Sequence, residues 1–213
     1  MASKMTERHV DHLVYATPDL DVTVDTLDRL LGVRATPGGR HLGEGTRNAL
    51  IALGPGSYLE VLGPDPSQPD PPRPRWLGVD DLEGPRLTRW ALKAGDLARQ
   101  VAAAERAGIN LGQVMSGSRT REDGTHLAWR LTDPRVVVAD GIVPFLIDWG
   151  ATPHPSQSAS QGVTLVGLRA EHPAPEQVQR RLEQLGISLE VREGVRAALI
   201  AMLRTPRGLI ELR

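Results

Sequence analysis

The chain has 213 residues, 40% apolar and 24% charged, with a formal net charge of −1. That is enough apolar mass for a sizeable core, and no apolar run approaches the roughly 18 residues of a membrane helix. With no cysteine, disulfides, thiolate nucleophiles and iron–sulfur clusters are excluded, and balanced charge with only 3% aromatic residues argues against nucleic acid as a partner.

Met1–Glu7 has no apolar stretch behind its lysine, so no signal peptide is expected and a cytoplasmic protein is. His9–Ala16 alternates apolar and polar residues and predicts a strand. Thr17-Pro18-Asp19 then supplies helix-start chemistry, Leu20, Val24, Leu27 and Leu31 follow at helical spacing, and Gly32 closes the helix. Short strands are expected at Val33–Ala35, Asn48–Leu53 and Tyr58–Leu62, with Pro37-Gly38-Gly39 and Gly54-Pro55-Gly56 as turns between them. Gly63–Pro74 carries six prolines and reads as a loop or stiff spacer.

The same plan returns twice. A second copy opens at Leu87–Leu92, carries a helix with Leu97, Val101 and Ala104 to Gly108, and continues in strands near Gly112–Met115, Leu127–Leu131 and Val143–Trp149. After a linker, Gly150–Gln161, a third opens at Val163–Leu168, with helix positions Val178, Leu182 and Leu185 before Gly186 and strands at Leu189–Val191, Ala198–Leu203 and Leu209–Leu212. The closing glycines stand 76 and 78 residues apart. A recurring order with recurring spacing is evidence of internal repetition. The expected architecture is α+β: two βαβββ modules (residues 8–63 and 86–150) paired within 8–156 into a curved, cup-like sheet, and a third βαβββ module over 162–213. Three strands cannot bury their apolar face alone, so the third module is expected to pack on the pair or to meet its copy in a homodimer.

The βαβββ plan, with His12 in the first strand and Glu60 in the fourth, resembles the vicinal oxygen chelate superfamily, which holds glyoxalase I, extradiol dioxygenases, and fosfomycin- and bleomycin-resistance proteins. Gly38–Asn48, Tyr58-Leu59-Glu60, Ser118–Gly124, Pro144–Trp149 and His154-Pro155 narrow the likeness to its glyoxalase-like domain subgroup, over about residues 8–156. The resemblance implies a divalent metal (zinc, iron, manganese or nickel) acting on a small molecule with neighbouring oxygen atoms, in lyase, isomerase or dioxygenase chemistry. It also implies an alternative, the metal-free sequestering cup of the bleomycin-resistance branch.

The superfamily draws its ligands from the first and fourth strands of two modules. His12 and Glu60 match the first pair; the counterparts in the later modules fall on Thr88, Val166 and Ile147 or Asp148, with Glu211 kept in the third. The four-ligand set is therefore broken, and His154 is expected to complete a two-histidine, one-carboxylate site with open positions. Glu60 is the expected catalytic base. His41, Thr46, Asn48, Arg119 and Trp149 are expected to bind substrate, Arg119 through its carboxylate-matching fork. Arg119 has an alternative in an ion pair with Glu122 or Asp123, and Trp149 in packing between modules.

Overall fold

A computed structural model describes residues 10–120, 124 and 126–213. The first unit comprises β1 (Val10–Ala16), α1 (Leu20–Leu31), β2 (Thr36–His41), β3 (Thr46–Ala52) and β4 (Tyr58–Pro64). The second comprises β5 (Arg86–Lys93), α2 (Leu97–Arg106), β6 (Val114–Thr120), β7 (His126–Thr132) and β8 (Phe145–Asp148). The third comprises β9 (Thr164–His172), α3 (Pro175–Gln184), β10 (Glu190–Glu193), β11 (Ala198–Thr205) and β12 (Gly208–Leu212). Among the described residues no helix is long and apolar enough to cross a membrane.

Local chemistry sets these elements. Asp19 caps α1 by accepting from the Val22 N–H, and Asp96 caps α2 from Arg99. Gly32 leaves α1 at φ 73°, a left-handed turn that is cheap for glycine. Gly108 and Gly186 repeat it at φ 73° and 68°.

Eight strands form one sheet in the order β2-β3-β4-β1-β5-β8-β7-β6. Each half reads 2-3-4-1 outward-in, and the halves join along antiparallel β1 and β5. The sheet curls until its two edges approach each other, so that Arg119 of β6 reaches Gly38 and Gly39 of β2. Alternate residues divide its faces. Inward lie His12, Val14, Tyr58, Glu60, Leu62, Trp129, Phe145 and Ile147, among them the apolar floor of the cup. Outward, Leu13, Leu59, Val61 and Trp90 join α1 and α2 in the larger core.

Two expectations are corrected. Residues 37–39 are not a turn but part of β2, which starts at Thr36 rather than Val33. An edge strand tolerates proline, and the pairing with β3 skips one residue between Pro37 and Gly39, a bulge that accommodates the irregular backbone. The third unit keeps the element order but not the pairing. Its sheet runs β10-β9-β11-β12, with β9 between β10 and β11 and β12 at the outer edge. In the first two units the first strand pairs with the fourth in parallel; here it pairs in parallel with the second. The third unit packs on the pair: Val178, Leu182, Leu165, Leu168, Leu199 and Leu203 belong to the same continuous core as α1, α2 and β1.

Candidate functional site

The inner positions of β1, β3 and β4 converge with β6, β7 and β8 on one cavity of about 30 Å³. That is room for a water or an ion. His12, His41, Asn48, Glu60, Arg119 and Trp149 all line it.

Glu60 is central and buried, 6% exposed. His12 Nε2 lies 3.7 Å from its Oε2 and His41 Nε2 lies 3.9 Å from its Oε1. Asn48 Nδ2 donates to Glu60 Oε1 at 2.5 Å, while Asn48 Oδ1 accepts from Arg119 Nη1 at 2.9 Å. A guanidinium can only donate, so the carbonyl end of Asn48 must face Arg119 and its amide must face Glu60. The relay crosses the closing edges of the sheet, β3 to β6. It needs Gly38: a Cβ there would stand 2.2 Å from Asn48 Oδ1 and 2.9 Å from Arg119 Nη1.

Each histidine is held from behind. His41 Nδ1 is 3.0 Å from Thr46 Oγ1, which also accepts from Trp76 Nε1 at 3.2 Å. Burial drives His41 down to about 4, helped by the charge of Arg119 and opposed by Glu60. Its ring is therefore neutral near pH 7. His12 stacks on Tyr58 at 4.7 Å and meets the edge of Phe145 at 5.4 Å. Burial, with the charges of Glu60 and Asp11, raises the Tyr58 phenol well above its ordinary value, so it stays protonated.

Behind His12 stands Asp11, wholly buried. Its Oδ1 accepts from His12 Nδ1 at 2.8 Å and its Oδ2 from His154 Nε2 at 3.1 Å. Trp149 Nε1 donates to both oxygens, at 3.2 and 3.1 Å. Burial alone would raise this carboxyl, but hydrogen bonds and charge from His12 and His154 outweigh it and hold it well below the usual range.

His154 does not turn into the cavity. Its Nδ1 is engaged by Ser156, through the hydroxyl at 2.8 Å and the backbone N–H at 3.3 Å, and its Nε2 is bonded to Asp11. Neither nitrogen lone pair is left for an ion beside Glu60. Thr46 likewise stands behind the wall rather than in it. The Glu122 and Asp123 partners considered for Arg119 lie outside the described residues, as do His9 and Arg121.

Among the described residues no group of three or more His, Asp or Glu side chains could hold a metal ion. As a pair, His12 and Glu60 do fit a divalent cation: an imidazole nitrogen and a carboxylate face each other, and the far nitrogen of His12 is bonded to a carboxylate, as in metal-bound histidines.

The roof was not legible as a roof. The segment just beyond the proline-rich connector brings Trp76 against His41 at 5.1 Å and Leu77 into the cavity wall. Arg135, 5.9 Å over the Trp76 ring, pairs with Glu44 and closes the rim. The one available signal was a tryptophan just after the proline-rich spacer of an aromatic-poor chain.

Comparison with known proteins decides the family: a glyoxalase-like domain matches residues 10–186. The chain belongs to the glyoxalase-like domain family. This places it in the vicinal oxygen chelate superfamily, and its paired sheet is that superfamily's cup. Among solved structures, a hypothetical protein from Staphylococcus aureus is similar at TM-score 0.61 and 14% identity, over 95% of this chain and 83% of that one. Methylmalonyl-CoA epimerase from Mycobacterium tuberculosis aligns at TM-score 0.44 and 21% identity, over 74% and 96%. The Streptomyces coelicolor epimerase aligns at TM-score 0.45 and 22%, over 69% and 98%. The first of these likenesses concerns the fold alone. No curated protein matches.

Proposed function

We propose that this glyoxalase-like cavity is the active site of a small-molecule enzyme that moves a proton on a substrate with neighbouring oxygen atoms, in isomerase or lyase chemistry. The observation that carries the reading is Glu60: a buried carboxylate facing two imidazole Nε2 atoms, at 3.7 and 3.9 Å, inside a roofed cavity. A lone carboxylate on an apolar strand is expensive to bury, and here three polar neighbours are built around it.

Glu60 Oε2 takes the proton from the carbon beside the substrate carbonyl. Thr46 accepts from Trp76, so its own O–H is free to donate to His41 Nδ1, which leaves a proton on His41 Nε2. That neutral N–H, already desolvated, steadies the oxygen on which charge develops. Asn48 keeps Glu60 oriented, and Arg119 behind it favours an anionic or strongly dipolar substrate end. The Trp76–Leu77 roof excludes water.

His12 and Glu60 would hold a divalent ion, which when bound supplies Lewis-acid polarisation of the substrate oxygens. The outer hydrogen bond from His12 to Asp11 supports that arrangement. A free volume of about 30 Å³ holds a water or an ion, so turnover and sequestering alike require the Trp76–Leu77 roof to open for an organic ligand.

The test is proton exchange. Small 2-hydroxycarbonyl, 2-oxo acid and thioester compounds are incubated with protein in D2O, with and without added zinc, manganese or nickel. The expected result is deuterium entering next to a carbonyl, and a loss of roughly 10²–10⁴-fold in Glu60→Gln with folding intact. Exchange unchanged in Glu60→Gln removes Glu60 from the reaction.

A further inference from the structure

Asp11 precedes His12 in β1, and in a regular strand neighbours point to opposite faces. Here they do not. In the pairing with β5, Val10 stands opposite Leu92 and His12 opposite Ala91, so Asp11 is the extra residue of a β-bulge. Bulges re-aim side chains. This one swings the Asp11 carboxylate beside the His12 ring, although the two are adjacent in sequence.

The carboxylate then gathers three donors from far apart in the chain. His12 comes from β1, Trp149 from the end of β8, and His154 from the connector behind it. The His154 proton stands on Nε2, because an ionised Asp11 can only accept there, while Nδ1 faces the Ser156 hydroxyl at 2.8 Å and accepts from the Ser156 backbone N–H at 3.3 Å. The His12 proton is fixed on Nδ1, because an ionised carboxylate can only accept. What remains on His12 is Nε2, aimed at Glu60.

We propose that Asp11 is a positioning residue: through the β1 bulge it sets the tautomer and ring orientation of His12 and clamps the Trp149–His154 connector against the back of the site. Asp11 does not line the cavity and touches no substrate position. The connector thereby becomes a working part of the site, and His154 acts on His12 through Asp11 rather than as a ligand.

This inference rests on His12 being a working residue of the cavity, yet its test needs no substrate, so failure of the one reading is seen separately from failure of the other. Long-range 1H–15N correlation spectra of the ring nitrogens are recorded at mildly alkaline pH on the full chain. The expected result is His12 protonated on Nδ1 and His154 protonated on Nε2. Asp11→Asn, isosteric but able to present either N–H or C=O, is expected to lose the fixed Nδ1–H signature of His12 and to divide the ring between tautomers. A wild-type His12 protonated on Nε2, or a folded Asp11→Asn protein with the His12 signature unchanged, overturns the proposal. If Asp11→Asn does not fold, the wild-type tautomers decide alone.

Discussion

His41 is held neutral in the folded protein, and this has a thermodynamic consequence. Unfolding returns it from about 4 to the ordinary imidazole value of 6.5. Between those values the unfolded chain binds a proton that the native state refuses, so stability falls as pH falls through that window. The contribution is of the order of 3 kcal/mol. Urea midpoints at pH 7 and near pH 4.5 should separate more for the wild type than for His41→Gln, which lacks the titrating ring. Asn48 is tested by Asn48→Leu, which removes both bonds of the relay and leaves the Glu60 carboxylate without its amide donor. A loss of about 2–3 kcal/mol in chemical denaturation is expected. At this scale the sequence was informative where alternation holds. His12 and Glu60 occupy inward positions of apolar strands, and so declare themselves. Asp11 did not, because alternation places it on the outer face and a bulge has no signature in one sequence. His154 was placed at the right spot for the wrong partner: the linker does return it to the site, but there Ser156 engages its Nδ1 and Asp11 its Nε2.

At the scale of elements, the informative failures lie in β2 and in the segment that follows the proline-rich connector. Turn chemistry at Pro37-Gly38-Gly39 is real as a local preference, but the sheet overrides it. What the glycines supply is clearance. Gly38→Ala should drive a methyl into Asn48 and Arg119. The amide signals of Asn48 should shift, and the deuterium exchange expected under the proposed function should fall while the fold is kept; a variant with both unchanged would show that the two sheet edges have slack at that point. The segment after the spacer, for which no element was expected, is a roof because Trp76 finds in Thr46 a hydroxyl to accept its indole N–H. Such a partnership across 30 residues depends on the fold and is not written in local sequence. The helices, by contrast, were legible to within a residue or two, since caps and apolar spacing are local causes.

At the scale of the molecule, the repeat spacing revealed three units of one element order but could not reveal that the last pairs its strands differently. Order is a property of the chain, whereas pairing is chosen by which apolar faces meet. Those faces meet in one core that runs from α1 and α2 into α3 and the second sheet. The protein should therefore unfold in a single step. Leu182, fully buried in α3, gives the test: Leu182→Ala should cost roughly 2–5 kcal/mol, and near-UV circular dichroism of the cavity tryptophans should report the same midpoint as far-UV signal from the whole chain. Separate midpoints would mean the C-terminal sheet melts on its own.

The mirrored strand order of the paired sheet has a corollary for redesign. The cavity takes His12, His41, Asn48 and Glu60 from the first half of that sheet and Arg119, Trp129 and Trp149 from the second. Under the proposed function the two halves divide the work, so grafting β6–β8 from another member of the family is a route to changing what the cavity accepts while the proposed reacting groups stay untouched.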